Sequence, residues 1–239
     1  MDIERPQLIS VVITNYNYSR YLGQAIESVL TQTYPHTEIL VVDDGSTDNS
    51  EAVARKYAPE VRFVSQLPRG VSAARNRGIQ ESSGELIAFL DADDMWHPDK
   101  LTRQVSAFIR PEVGMVYCGL QYLDAAGKPA GTYLSGRRGR VLKEIALLHG
   151  PGVPASGSSA VVRRECFRHV GLFDEELSTS ADWDMWRRIA CHYEIEIISA
   201  PLFFYRLHNA SMHRNVPVME KDMLRAFAKT FADPEASAV

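Results

Sequence analysis

Glu85-Leu-Ile-Ala-Phe-Leu-Asp91-Ala-Asp93-Asp94-Met-Trp-His-Pro98 is the stretch whose reading decides the fold. Bounded upstream by Gly84, it delivers an apolar run straight into three carboxylates. A short apolar run that ends in a turn reads as a buried strand. The carboxylates then lie at the strand's carboxyl end, where open α/β sheets bind ligands. On a chain leaving a strand, positions i and i+2 share one side, so Asp91 and Asp93 repel one another unless a cation lies between them. Hard oxygen donors suit Mg²⁺ or Mn²⁺, which keep waters and take further ligands from phosphates. A plainer alternative is that Asp93 and Asp94 cap a helix begun by Pro98.

Working outward, Leu8–Ile13 reads as a strand that ends in the polar loop Thr14-Asn-Tyr16-Asn-Tyr18. Ser19 is placed to cap a helix whose apolar residues Leu22, Ala25, Ile26, Val29 and Leu30 share one face. Strand Glu38–Asp43 runs into Asp44-Gly45-Ser46-Thr47 and a helix near 48–57, and Val61–Val64 is a third strand. A helix carrying Val71, Ala74, Gly78 and Ile79 precedes the acidic strand, and a helix from Pro98 with Leu101, Val105, Phe108 and Ile109 inward follows it, then strand Val113–Tyr117. Short apolar strands alternating with amphipathic helices mean an α/β fold with a mostly parallel, doubly wound sheet.

Beyond residue 120 the pattern loosens. Residues 125–140 read as a loop or a pair of edge strands, 141–149 as a helix, and 150–157 as a turn-rich, substrate-side loop. Ser159–Arg163, Glu194–Ser199 and Leu202–Arg206 read as strands, and Ala181–His192 as a helix. Trp183 and Trp186, three apart on that helix, suit either the core or stacking on an acceptor sugar. A last amphipathic helix over 216–229 fits packing on its own domain, on a second copy in a homodimer, or at a membrane surface.

With 239 residues, 45% hydrophobic content and 23% charged residues, the chain has the size and composition of one soluble α/β domain. A net charge of -4 offers no basic field for nucleic acid. The three scattered cysteines fit buried thiols in a reducing compartment. No leader peptide is legible, and no run reaches the ~18 apolar residues of a membrane span. A cytoplasmic location is expected, with peripheral contact at the inner face of the membrane as a further option. Neither a GxGxxG turn after a strand nor a P-loop lysine is present in the sequence, so a nucleotide site has to rely on carboxylates and a metal.

The motifs Thr14-Asn-Tyr-Asn-Tyr18, Val41-Val-Asp-Asp-Gly-Ser-Thr-Asp48, Gly70-Val-Ser-Ala-Ala-Arg-Asn-Arg-Gly78 and Phe89-Leu-Asp-Ala-Asp-Asp94 closely resemble those of family 2 glycosyltransferases with the GT-A fold. Asp174-Glu175, Ala181-Asp-Trp-Asp-Met-Trp186 and Tyr205-Arg-Leu-His208 continue the resemblance in order, over roughly residues 8–210. It implies one catalytic domain over 1–210, with residues 1–120 on the nucleotide side, 121–210 on the acceptor side, and a helical tail over 211–239.

The resemblance further implies that Thr14, Tyr16 and Asp44 hold the base and Asp91 the ribose. Asp93 would ligate Mn²⁺ or Mg²⁺. Arg75 and His208 would neutralise the diphosphate, with His208 also reaching the metal. Asp182 matches the catalytic base, although Ala181 stands where the family usually has Glu, which leaves Asp184 as its rival. The expected reaction moves one sugar, with inversion, from a nucleotide-diphosphate sugar (UDP-linked by preference) to a hydroxyl of a glycan, lipid-linked or small-molecule acceptor. A binding module that has lost catalysis is the alternative.

Overall fold

The computed structural model describes residues 6–124, 126–148, 156–209 and 211–232. Among these, four strands, β1 (Ile9–Asn15), β2 (Thr37–Asp43), β3 (Val61–Ser65) and β4 (Leu86–Asp91), lie parallel in the order β3-β2-β1-β4. Helices α1 (Ser19–Leu30), α2 (Ser50–Ala54) and α3 (Val71–Glu81) make the crossovers. The chain winds outward from β1 to β3 and then returns to the other side of β1, so the topological switch lies between β1 and β4.

Alternation along the strands explains why both faces are covered. Val11, Ile13, Val41 and Leu90 join the α1 residues Leu22, Ala25, Ile26 and Val29 in one core. Val12, Val42 and Phe89 point the other way, into a core with Ala74 and Ile79 of α3. Close packing there is enforced by Gly78, where a Cβ would stand 2.2 Å from Cγ1 of Val12. Ser19 begins α1 but does not cap it; its N–H is capped by the Asp48 carboxylate at 2.9 Å, 29 residues away in sequence.

Past β4 come β5 (Met95–Trp96), α4 (Lys100–Val105), β6 (Val113–Leu123), β7 (Pro129–Tyr133), α5 (Leu142–Ala146), β8 (Val161–Arg163), α6 (Arg164–Val170), α7 (Ala181–His192), β9 (Glu194–Arg206) and α8 (Val216–Ala232). The sheet is mixed here: β8 is antiparallel to β4 and β6, while β6 and β9 are parallel. The two expected strands at 194–199 and 202–206 are one strand, whose register with β6 slips where Gly119 meets Pro201. A proline that cannot donate to the ladder sits at such an irregularity. Ile109 was expected inward; α4 stops at Val105, and Ile109 is 79% exposed.

Trp183 and Trp186 are core, not stacking platforms: the first is 6% exposed and donates its ring N–H to the Ile145 carbonyl at 3.1 Å, and the second is 1% exposed. Helix α8 buries Asp222, Ala226 and Thr230 against its own chain, with Met223 and Phe227 packed on the α7 core. Leu224 and Phe231 stay exposed. No helix among the described residues is long and apolar enough to cross a membrane.

Candidate active site

The parallel strands bring their polar ends together in register, Thr14 beside Asp91 and Asn15 beside Asp43. Thr14 Oγ1 donates to Asp91 Oδ1 at 2.9 Å across the switch point. Asp43 closes its own turn, accepting from Asn15 Nδ2 at 2.7 Å and from the Ser46 N–H at 2.9 Å. Gly45 is obligatory there, because its φ is +77° and a Cβ would stand 2.5 Å from Cδ of Pro68. Asp44 accepts from Gln66 Nε2 and from the backbone N–H groups of Arg69 and Gly70, at 2.7–2.9 Å. Asp44 thus fastens the loop before α3, while Tyr16 beside it is 52% exposed.

The three carboxylates of the β4 turn have different partners. Asp93 Oδ2 lies 2.9 Å from His208 Nε2, and that imidazole packs between the rings of Tyr18 and Tyr21 at 5.5 and 5.4 Å. Arg206 donates Nε to the Asp93 carbonyl at 3.1 Å and Nη2 to Gln24 at 2.8 Å, fixing the turn from the end of β9. Asp94 is buried, accepting from Ser158 Oγ at 2.7 Å and the Arg206 N–H at 3.2 Å. Burial above all, then the neighbouring charges of Asp93 and Asp91, push the Asp94 carboxyl well above the usual carboxylate range. The capping alternative fails, since α4 starts only at Lys100 and both aspartates have other partners.

Arg75, 3% exposed, joins the two halves of the molecule. It donates Nη1 to Asp182 Oδ1 at 2.7 Å and Nη2 to Asp91 Oδ1 at 3.0 Å. The other Asp182 oxygen accepts the Gly157 N–H at 3.0 Å. Burial raises the Asp182 carboxyl above its ordinary range; the Arg75 charge opposes this, the Asp91 charge adds to it, and the net direction is up. Asp184 is spent elsewhere: it accepts from Arg188 Nε at 2.9 Å and lies 3.7 Å from Arg187 Nη2, both on its own helix. Of the two acids in the first turn of α7, then, it is Asp182 that the fold aims at Arg75 and Asp91.

Sequence reasoning missed Gly157, Ser158 and Arg206. Ser158 accepts from the Asp91 N–H at 3.1 Å while donating to Asp94, and its carbonyl accepts from Trp96 Nε1 at 2.9 Å. A turn-rich composition marked the segment 150–157 but not which donors it would present; residues 150–155 lie outside the described set. No group of three His, Cys, Asp or Glu side chains among the described residues forms a ready metal cage. The Asp93 carboxylate and His208 imidazole nevertheless converge as an oxygen–nitrogen pair. That donor set suits Mn²⁺ or Mg²⁺ when phosphate oxygens and waters complete the shell.

The model of Glycosyl transferase family 2 matches residues 10–171. The chain belongs to that family. An uncharacterized glycosyltransferase of Nostoc sp. is 36% identical over 222 residues, covering 86% of this chain and 66% of the relative. The putative teichuronic acid biosynthesis glycosyltransferase TuaG of Bacillus subtilis is 32% identical over 131 residues, 53% of this chain and 52% of its own. The chain therefore spans two-thirds or less of these relatives' length.

Among solved structures, the mannosyltransferase PcManGT from Pyrobaculum calidifontis, in complex with GDP-Man and Mn²⁺, superposes with a TM-score of 0.74 at 21% identity, covering 96% of this chain and 66% of that one. Residues 1–349 of S. aureus TarS with UDP-GlcNAc give 0.71 at 19%, covering 91% and 66%. These are GT-A glycosyltransferases, and the family 2 chain has the same fold. The family match ends before Asp182 and His208, so their part in the site rests on the geometry above.

Proposed function

We propose that this family 2 glycosyltransferase moves one sugar from a nucleotide-diphosphate sugar to an acceptor hydroxyl, with inversion and with a divalent cation. One observation carries the reading: Arg75 holds Asp91 of the nucleotide half and Asp182 of the acceptor half on a single guanidinium. Tyr16 presents its exposed ring to the base, with Thr14 and Asp44 at the adjoining strand ends, and Asp91 takes the ribose. Asp93 and His208 would hold Mn²⁺ or Mg²⁺, and such a cation would supply positive charge to offset that developing on the leaving diphosphate. Arg75, expected to help neutralise the diphosphate, instead offsets the charges of Asp91 and Asp182 in that wall of the site.

Asp182 takes the acceptor hydroxyl's proton as the oxygen attacks the anomeric carbon. A buried carboxylate with a raised proton affinity is a better base than an exposed one. With Asp184 tied to Arg188, the first turn of α7 offers one carboxylate, which fits a single displacement and not a covalent glycosyl intermediate. A UDP-linked donor and an acceptor in glycan or polysaccharide assembly, glycan or lipid-linked, at the cytoplasmic face of the membrane, complete the proposal. It agrees with the UDP-GlcNAc complex of TarS and the name of TuaG.

The test is a thermal-shift panel of UDP, GDP, CDP and dTDP with and without Mn²⁺. A nucleoside diphosphate that raises the transition only with the cation, and no longer does so in Asp93→Asn, is the expected result, because a ligand bound to the native state stabilises it. No cation-dependent shift with any of the four would overturn the proposal.

A further inference from the structure

Helix α8 lies beyond the segment that matches the family, yet it grips the chain immediately before the proposed base. Asp222, 6% exposed, accepts four hydrogen bonds on one oxygen. The donors are the Ser178 N–H at 2.7 Å, Ser178 Oγ at 2.8 Å, the Thr179 N–H at 2.8 Å and Thr179 Oγ1 at 3.1 Å. Thr179 is followed by Ser180, which precedes the first turn of α7 and accepts the Asp184 N–H at 3.1 Å; Asp182 lies within that turn.

The same loop is held on its other side by α3, the helix that carries Arg75. Ser72 Oγ donates to the Leu177 carbonyl at 2.6 Å, and Asn76 exchanges two hydrogen bonds with the Phe173 backbone, each 2.9 Å. Residues 173–180 are therefore clasped between the helix of Arg75 and α8, and the clasp ends at Asp182. Two ion pairs from α8, Arg225 to Glu176 and Lys229 to Asp174, each have an exposed cation at the surface and contribute little. Burial opposes the Asp222 charge, but its four donors hold the carboxyl below the ordinary aspartate range.

We propose that Asp222 is a positioning residue for the transfer reaction: by tying Ser178 and Thr179 to α8, it fixes the first turn of α7 so that Asp182 meets Arg75 and the Gly157 N–H. Nothing in its surroundings places Asp222 in contact with substrate. The inference rests on the proposed role of Asp182, so its test must separate the two.

Turnover of UDP-GlcNAc and of GDP-mannose with Mn²⁺, read as nucleoside diphosphate released, is measured for the native chain, Asp182→Asn, Asp222→Asn and Asp222→Glu. In parallel, hydrogen exchange reports on residues 156–159 and 178–184. Asp222→Asn is expected to lower kcat ten- to a hundredfold at unchanged donor KM and to loosen exchange in those two segments alone. Asp222→Glu should restore part of the loss, and Lys229→Ala should leave kcat unchanged.

An Asp222→Asn protein with native kcat and a lowered melting temperature would overturn the inference while leaving Asp182 as base. Native turnover in Asp182→Asn would instead sink the reading of the site. Should Asp222→Asn fail to fold, Ser178→Ala and Thr179→Val each remove one donor and leave the carboxylate in place. A kcat loss at constant KM in these variants supports the latch, and unchanged kcat refutes it.

Discussion

The two halves of the sheet supply the site by different means. In the parallel half, side chains reach the site because strands end there: Thr14, Asp43 and Asp91 are carboxyl-terminal residues of adjacent β1, β2 and β4. In the mixed half, no strand end does this work alone. Gly157, Ser158, Asp182, Arg206 and His208 arrive from a turn, a helix start and the end of a long strand, and each is placed by a partner far away in sequence. A regular winding fixes the β1, β2 and β4 side of the site by topology, whereas the opposite side has to be fixed by particular contacts. A small change should therefore cost stability in the first half and activity in the second.

Two glycines sharpen that contrast. A Cβ at Gly157 would stand 2.9 Å from Nη2 of Arg75, a guanidinium that is buried and already shared by two carboxylates. Gly157→Ala is expected to lower turnover by about tenfold or more, roughly 1.4 kcal/mol in the barrier, with a melting temperature close to native. Gly78→Ala forces a methyl into Val12 on β1 and is expected to cost about 1–3 kcal/mol of stability by overpacking, while the folded fraction keeps its turnover. Urea unfolding and steady-state rates on both variants give the answer; equal losses of activity and stability in the two would break the distinction.

Lys100 tests the structural side at smaller scale. Its ammonium is fully buried over the Trp96 ring at 4.0 Å, and no hydrogen-bond partner is present among the described residues. Burial pulls it down from 10.5 to about 8. Between those values the unfolded chain holds a proton that the native chain has released, so stability rises with pH across that window and the full cost is borne below it. Lys100→Met is expected to raise the melting temperature at pH 7 by a few degrees and to flatten the rise above pH 8. A drop in melting temperature at pH 7 would mean that the cation over Trp96 is net stabilising.

The same asymmetry explains what the sequence revealed. Alternating apolar runs placed the parallel strands and α1, α3 and α7, and the acidic motif after Phe89 placed Asp91, Asp93 and Asp94 at the end of β4, because strand ends and their turns are local in sequence. The rest depended on long-range contacts. That Asp182, not Asp184, meets Arg75 follows from a contact spanning 107 residues, while Asp184 is claimed by Arg188 one turn along its own helix. Asp44 reads as a base-binding carboxylate, yet in the fold it also fastens Gln66, Arg69 and Gly70. Asp93 stands out in sequence by its place two residues after Asp91, but nothing local shows that Asp94 is buried beneath Ser158 and Arg206 while Asp93 meets His208. The strand break expected before Leu202 did not occur because the ladder with β6 absorbs Pro201 in a register slip.

The most direct measurement of the central claim is the rate of nucleoside diphosphate release from UDP-GlcNAc and GDP-mannose, with Mn²⁺, in Asp182→Asn and Asp184→Asn side by side. Loss of a general base costs about 10²–10⁴-fold, and that loss is expected in Asp182→Asn, with binding of the nucleoside diphosphate kept. Asp184→Asn should keep the native rate per folded molecule and lose stability instead, because it strips a buried partner from Arg188 and Arg187. The reverse pattern, an active Asp182→Asn and a dead but stable Asp184→Asn, would contradict the account.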